Sequence, residues 1–168
     1  MSDATHFERL GLPRRFSLDL ARLEREYLAQ SRALHPDFHQ AGSDADRRAS
    51  EELSARLNDA YTTLKDSFRR AEYLLELAGG PQASAERALP ESFLLEAMEA
   101  REELDARQAA GATAEELAPP LRQTVARIVA EAGAMLDAAD PDSRAIRRTL
   151  NAANTYRGML RDLHSPRG

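Results

Sequence analysis

The sequence contains no cysteine and no tryptophan, and aromatic residues make up only 5% of it. Without cysteine there is no disulfide, no thiolate zinc site, no thiol nucleophile and no ordinary iron–sulfur ligation. With so few aromatics, the core must be built mainly from leucine and alanine. No apolar run approaches the length that spans a bilayer. The start, Met1-Ser2-Asp3-Ala4-Thr5-His6, has neither the basic residues nor the apolar stretch of a secretory signal. Positive charge is not in excess either: 23 Lys+Arg stand against 28 Asp+Glu, a net charge of −5. General nucleic-acid binding calls for a basic face, so this balance argues against it. The expectation is no nucleic-acid partner, no membrane partner and no bound cofactor.

What is present points to helices. The 168 residues can fold as one domain or two small ones. A content of 42% apolar and 30% charged residues suits a helix-rich chain with its own core. Residues 1–75 carry 12 Lys+Arg and 13 Asp+Glu, leaving 11 and 15 for the rest. The second part is therefore the more acidic.

The chain is organised around Arg32-Ala33-Leu34-His35-Pro36-Asp37. Helical periodicity over 18–34 stops there, and a second periodic run, 45–68, begins beyond it. Pro36 accounts for the break, since its ring lacks an N–H and disfavours helical geometry at His35. From the residues alone His35-Pro36-Asp37 has three readings. It is a helix stop in a polar loop, a metal or acid–base site that adds His39 at i+4, or a recognition point for a partner protein. The second needs both histidines on one continuous helix. Pro36 argues against that, and no third ligand lies nearby in sequence.

Upstream, His6-Phe7-Glu8-Arg9-Leu10 predicts a short helix ended by Gly11 and Pro13, with Phe7, Leu10 and Leu12 turned inward. Ser17 is the expected N-cap of the next helix, Phe16 its staple, and Asp19 suits its positive end. At 100° per residue, Leu20, Leu23, Tyr27 and Leu34 share a sector of about 60° and form a core stripe. Arg22, Arg25 and Arg32 lie roughly opposite. That basic face is either simply solvated or an electrostatic docking surface. Beyond the loop, Leu53, Leu57, Tyr61, Leu64 and Phe68 form a matching stripe, so the two runs predict an antiparallel hairpin with His35-Pro36-Asp37 at its tip. Asn58-Asp59 reads as facing water or capping a neighbouring turn.

These parts occur in a particular order: a short helix, a helix with a basic face, Leu34-His35-Pro36-Asp37, then Leu57-Asn58-Asp59-Ala60-Tyr61-Thr62-Thr63-Leu64 in a longer helix. That order resembles a J-domain. The resemblance implies docking on a DnaK-type chaperone ATPase and stimulation of its ATP hydrolysis. His35, Pro36 and Asp37 match the family's signature tripeptide, and Arg22, Arg25 and Arg32 occupy the helix that contacts the ATPase. Phe38 departs from the lysine that many J-domains carry there. Further on, Arg70-Ala71-Glu72-Tyr73-Leu74-Leu75-Glu76-Leu77-Ala78-Gly79 and Phe93-Leu94-Leu95-Glu96-Ala97-Met98-Glu99-Ala100-Arg101-Glu102-Glu103-Leu104-Asp105 resemble the HscB family, the J-type co-chaperones of iron–sulfur cluster assembly. The resemblance covers nearly all of the chain. The eukaryotic branch often adds an N-terminal tetracysteine zinc segment, which has no counterpart here, so a bacterial, cytoplasmic protein is implied.

Gly79-Gly80-Pro81 and the Ala/Ser stretch after it mark a boundary. The expected division is 1–78 as J-domain, 79–89 as linker and 90–168 as a C-terminal client-binding domain. Three helical patterns with short loops predict an antiparallel three-helix bundle in that domain. The first opens at Pro90-Glu91, with Pro near N1. The second holds Leu121, Val125, Ile128, Ala132 and Met135. Thr113 to Glu116 can form a capping box, but Pro119-Pro120 predicts a break and a restart near Pro119. Asp140-Pro141 is the expected cap-and-N1 pair of the third, whose stripe is Ile146, Leu150, Ala153, Tyr156 (or Arg157), Leu160 and Leu163.

On the first of these helices Phe93, Ala97, Ala100 and Leu104 suffice for the core, while Leu94, Leu95, Met98, Glu99 and Glu102 fill a separate arc of about 140°. Geometry leaves two readings. Leu94 and Met98 also belong to the core, or apolar residues rimmed by carboxylates form a partner surface. The resemblance favours the second, because these positions match those with which HscB proteins hold the IscU scaffold. The family's glutamate of the next turn corresponds to Ala106, and Tyr156 is the nearest candidate for its aromatic on the last helix. The chain is thus expected to be all-α, a J-domain hairpin plus a three-helix bundle. Its expected role is a non-enzymatic co-chaperone that brings an IscU-type scaffold to an HscA/DnaK-type ATPase. The alternative is a J-domain co-chaperone for a different client.

Overall fold

The computed structural model of the chain describes residues 4–34 and 44–164 and is all-α, with no strand among the described residues. It divides into two compact units, Met1–Tyr73 and Leu74–Gly168.

In the first unit, α1 (His6–Arg9) is a single turn secured at both ends. The Thr5 side chain accepts from the Glu8 N–H, and the Glu8 carboxylate accepts from the Thr5 N–H at 2.8 Å. The Thr5 backbone donor and then its hydroxyl hold the Glu8 carboxyl below its ordinary pKa. Gly11, at φ +62°, lets the Leu12 N–H reach the Phe7 carbonyl. That turn buries Phe7, Leu10 and Leu12, as the sequence pattern predicts.

Helix α2 (Leu20–Ala33) starts later than expected. Its N-cap is Asp19 rather than Ser17: the carboxylate accepts from the Arg22 N–H at 3.0 Å. Aspartate caps as well as serine and adds a favourable charge at the positive helix end. Leu20 therefore sits at the first helical position, 49% exposed, and is not part of the core. Leu23 is buried, with Tyr27 and Leu34 half-buried. Helix α3 (Asp44–Lys65) runs antiparallel to it. The Ser50 hydroxyl donates to the Leu34 carbonyl at 2.9 Å, while Tyr27, two turns earlier in α2, meets Asn58 and Tyr61. Leu57, Ala60 and Leu64 complete the core. Leu53 was expected in that stripe but is exposed, on the rim of a shallow pocket with Gln30 and Ala33.

The run expected to reach Phe68 is interrupted at Asp66, and Phe68 belongs to α4 (Ser67–Leu77). The reason is local: the Asp66 carboxylate accepts from the Arg69 N–H at 2.9 Å and caps a new helix. Phe16, expected as a staple for α2, lies instead beneath the buried Arg70 guanidinium, 4.8 Å from its ring centroid.

In the second unit, α4 ends where Gly79 adopts φ +70° and the Gly80 N–H bonds to the Leu75 carbonyl at 2.9 Å. A Cβ on Gly80 would fall 2.3 Å from the Leu75 side chain, so this turn also excludes bulk. Helices α5 (Glu91–Ala109), α6 (Ala114–Leu136) and α7 (Ser143–His164) complete the unit. Helices α6 and α7 form the closest pair, and α5 lies against α7. Pro90 is the N-cap of α5 rather than N1. The capping box of Thr113 and Glu116 opens α6 as expected, but the helix then continues through Pro119 and Pro120 without a restart. Each proline forfeits a bond to the carbonyl four residues back. Those carbonyls belong to the exposed Glu115 and Glu116, within reach of water, while Leu117, Ala118 and Leu121 on the other face are buried. Burial of that face outweighs two lost bonds at a solvated helix end. Helix α7 is capped by Asp142 rather than by Asp140-Pro141; its carboxylate accepts from the N–H groups of Arg144 and Ala145, each at 3.0 Å. Ile146, Leu150, Ala153, Tyr156 and Leu163 are buried along its stripe.

Residues 79–89, expected as a linker, are fastened along α7. The buried Arg147 donates from Nε to the Pro81 carbonyl at 2.8 Å. Asn151 donates from Nδ2 to the carbonyls of Glu86 and Ala88 at 2.8 and 3.1 Å, and Arg148 faces Glu86 at 3.5 Å. Asn151→Ala removes two of these bonds. It should lower stability in urea by about 1–2 kcal/mol and speed tryptic cleavage after Arg87. Unchanged cleavage there would mean that other contacts hold the segment.

Candidate functional site

The α2 face is set by the pairing with α3. Arg22, Arg25 and Arg32 are all exposed, pointing away from Leu23. Arg22 is partly committed, since its Nη2 donates to the Gly11 carbonyl at 3.0 Å. Leu28, three residues after Arg25 and four before Arg32, is 45% exposed on the same side. His35, Pro36 and Asp37, with Phe38 and His39, lie outside the described residues. The helix ends on either side of them are described: Leu34 caps α2 with its N–H on the Gln30 carbonyl at 3.0 Å, and α3 begins at Asp44.

The α5 face is decided by how α5 meets its neighbours. Phe93, Ala97 and Leu104 are buried and Ala100 is half-buried. Leu94, Leu95 and Met98 are 51%, 62% and 57% exposed, and Glu99 and Glu102 are exposed beside them. Leu94 and Met98 are therefore not buried in the bundle core. These two side chains wall an open groove of about 550 Å³ between α5 and α7, with Ala97 on the α5 side and Thr155, Gly158 and Met159 on the α7 side. Arg101 bridges to Asp162 at 2.9 Å across it.

Tyr156 is not on that face. It is 3% exposed and borders a separate cleft of about 250 Å³ between α5 and α6, where Arg127 pairs with Glu96 at 3.2 Å. Burial pushes its phenol above the ordinary pKa, the Glu96 carboxylate adds to this, and Arg127 opposes it. Among the described residues no three His, Asp or Glu side chains are placed to hold a metal ion, and no helix is long and apolar enough to cross a membrane.

No family model matches the chain. The co-chaperone protein HscB homolog of Chromobacterium violaceum is 41% identical over 131 residues, which are 77% of this chain and 75% of that protein. The chain belongs to the HscB co-chaperone family. The solved structure of chaperone HscB from Vibrio cholerae matches it with a TM-score of 0.75 at 30% identity, over 96% of both chains. Human co-chaperone HscB shares the fold, with a TM-score of 0.78 at 24% identity over 98% of this chain and 82% of that one.

In this HscB-family chain, three polar side chains given no partner by the sequence reading do have one. Asn58 is exposed, as the sequence predicts, and also accepts from the Tyr27 hydroxyl at 2.9 Å. Asp59 lies 3.6 Å from His6. Tyr73 stacks on the His6 ring at 4.3 Å, and its hydroxyl accepts from the His6 backbone N–H at 3.0 Å. The matching positions of Tyr27 and Tyr61 on facing stripes were the one available signal; their rings stack at 4.0 Å.

Two measurements check this geometry. Leu94→Ala combined with Met98→Ala should change urea stability by no more than about 1 kcal/mol, whereas Phe93→Ala should cost about 3–5 kcal/mol. Tyr156 keeps its proton in the folded chain at a pH where the unfolded chain has lost it. Its contribution to stability is therefore intact at neutral pH and declines as pH rises from the ordinary phenol value through the raised one. Tyr156→Phe should flatten the alkaline fall in Tm; a parallel fall would place its source elsewhere.

Proposed function

We propose that this chain is a J-type co-chaperone of iron–sulfur cluster assembly, acting in the bacterial cytoplasm. In this reading residues 1–78 form the J-domain, 79–89 connect the two domains, and 90–168 bind the client. His35, Pro36 and Asp37, with Arg22, Arg25 and Arg32, engage an HscA/DnaK-type ATPase and bias it towards hydrolysis. Leu94, Leu95, Met98, Glu99 and Glu102 hold an IscU-type scaffold. The observation that carries the second half is the exposure of three adjacent large apolar side chains on α5, edged by carboxylates, in a member of the HscB family. Apolar clusters of this kind are uncommon on a surface that faces only water.

The mechanism is positional. Holding the scaffold on the same chain that docks on the ATPase raises its effective concentration at the chaperone. No bond is made or broken by the co-chaperone, and the chain's lack of cysteine leaves cluster ligation to the scaffold.

Steady-state ATP hydrolysis by an HscA-type chaperone, with and without purified scaffold, tests both halves. Wild-type protein should stimulate hydrolysis and act synergistically with scaffold. Asp37→Asn should abolish stimulation. The Leu94/Met98 double alanine should keep basal stimulation but need about tenfold or more scaffold for the same synergy. Synergy unchanged in the double variant would remove the α5 assignment. Stimulation by the wild type without any scaffold synergy would instead favour a J-domain co-chaperone for a different client.

A further inference from the structure

Six large apolar side chains are markedly exposed among the described residues, three of them on the α5 face. Of the other three, Leu20 sits at the start of α2 and Leu53 borders a pocket beside Arg9 and Gln30. Leu28 differs from both. It lies in the middle of α2, 45% exposed, with the exposed Arg25 one turn before it and Arg32 one turn after it.

A lone exposed leucine is ordinary, but this placement is not neutral. The spacing 25, 28, 32 is i, i+3, i+7, the register in which a helix presents one line of anchors to a groove. An apolar side chain flanked by guanidiniums also has the layout of an interface centre: a residue that loses water on contact, surrounded by charges that set orientation. We infer that Leu28 is an apolar anchor of the α2 docking face, inserted into an apolar recess of its partner that is bordered by carboxylates. Charge complementarity defines the partner surface: the exposed Arg25 and Arg32 outnumber the exposed Glu24, which lies one turn before Leu28 on the same side, and call for a net acidic border around the recess. The partner is the chaperone ATPase of the proposed function, and the inference rests on that reading.

The two kinds of contact separate by salt. Attraction between exposed charges weakens as ionic strength rises, whereas burial of a leucine does not. The half-saturating co-chaperone concentration for ATPase stimulation should therefore be measured at low and high potassium chloride. Wild type, Leu28→Ala, Leu28→Gln, Arg25→Ala and Asp37→Asn are compared, each checked for wild-type circular dichroism and Tm. Both Leu28 variants should raise the half-saturating concentration about fivefold to tenfold, by a similar factor at both salt levels and with maximal stimulation kept. Arg25→Ala should show a penalty that shrinks as salt rises.

Leu28 variants indistinguishable from wild type, beside an inactive Asp37→Asn, would overturn the anchor while leaving the proposed function standing. Full stimulation by Asp37→Asn, or none by the wild type, would overturn the functional reading and the anchor with it. A Leu28 penalty that vanishes in high salt would also overturn the anchor, since that would be an electrostatic effect.

Discussion

The buried hydroxyl of Ser50 donates to the carbonyl of Leu34, the last residue tied into α2. That bond, with the stacked rings of Tyr27 and Tyr61 two turns away, fixes the register of α2 on α3. Register decides which side chains of a paired helix face inward. Here Leu23 goes in with Leu57 and Leu64, and Arg25, Leu28 and Arg32 are left outside. The same pairing brings the two described helix ends, at Leu34 and Asp44, into one part of the unit. Without a fixed register the arginine face would have no defined orientation relative to those ends.

Helix α5 shows the complementary situation, with more apolar side chains than its neighbours can cover. It lies against α7, with Ala97 on that side, while Phe93 meets Arg127 of α6 and Leu104 lines the cleft towards α6; all three are buried. Leu94, Leu95 and Met98 are left exposed, Leu94 and Met98 on the wall of the open groove towards α7. Apolar surface left in water is unfavourable. Its concentration on one arc, beside Glu99 and Glu102, separates the helix into one face for folding and another available for a partner.

Much of this was legible in the sequence because it rests on short-range rules. Alternating stripes located the helices, and the Thr113–Glu116 box and the Gly11 and Gly79 turns located ends where side chain and backbone answer each other locally. The errors concern competition between equally good local signals. Ser17 and Asp19, or Asp140 and Asp142, are all competent caps, and the selection depends on what the adjoining turn buries. Pro119-Pro120 reads as a break because local propensity carries no sign that Leu117 and Leu121 are both buried on one side of a helix already started. The two readings of Leu94 and Met98 could not be separated by periodicity, since an apolar arc looks the same whether a neighbouring helix covers it or not. Partners distant in sequence, such as Tyr27 with Asn58 or Arg147 with Pro81, leave no periodic trace.

The fastening of residues 79–89 to α7 changes what counts as a separable piece of this chain. Helical periodicity alone would place the start of an excised C-terminal fragment at Pro90. Such a cut strips Arg147 Nε and Asn151 Nδ2 of their carbonyl acceptors, in a buried and a half-buried setting respectively. A polar group left in that condition costs about 1–3 kcal/mol. The graftable unit therefore starts no later than Pro81. Length changes between Pro81 and Glu86 are also not the neutral edits they would be in a solvated tether, because they shift one anchor out of register with the other.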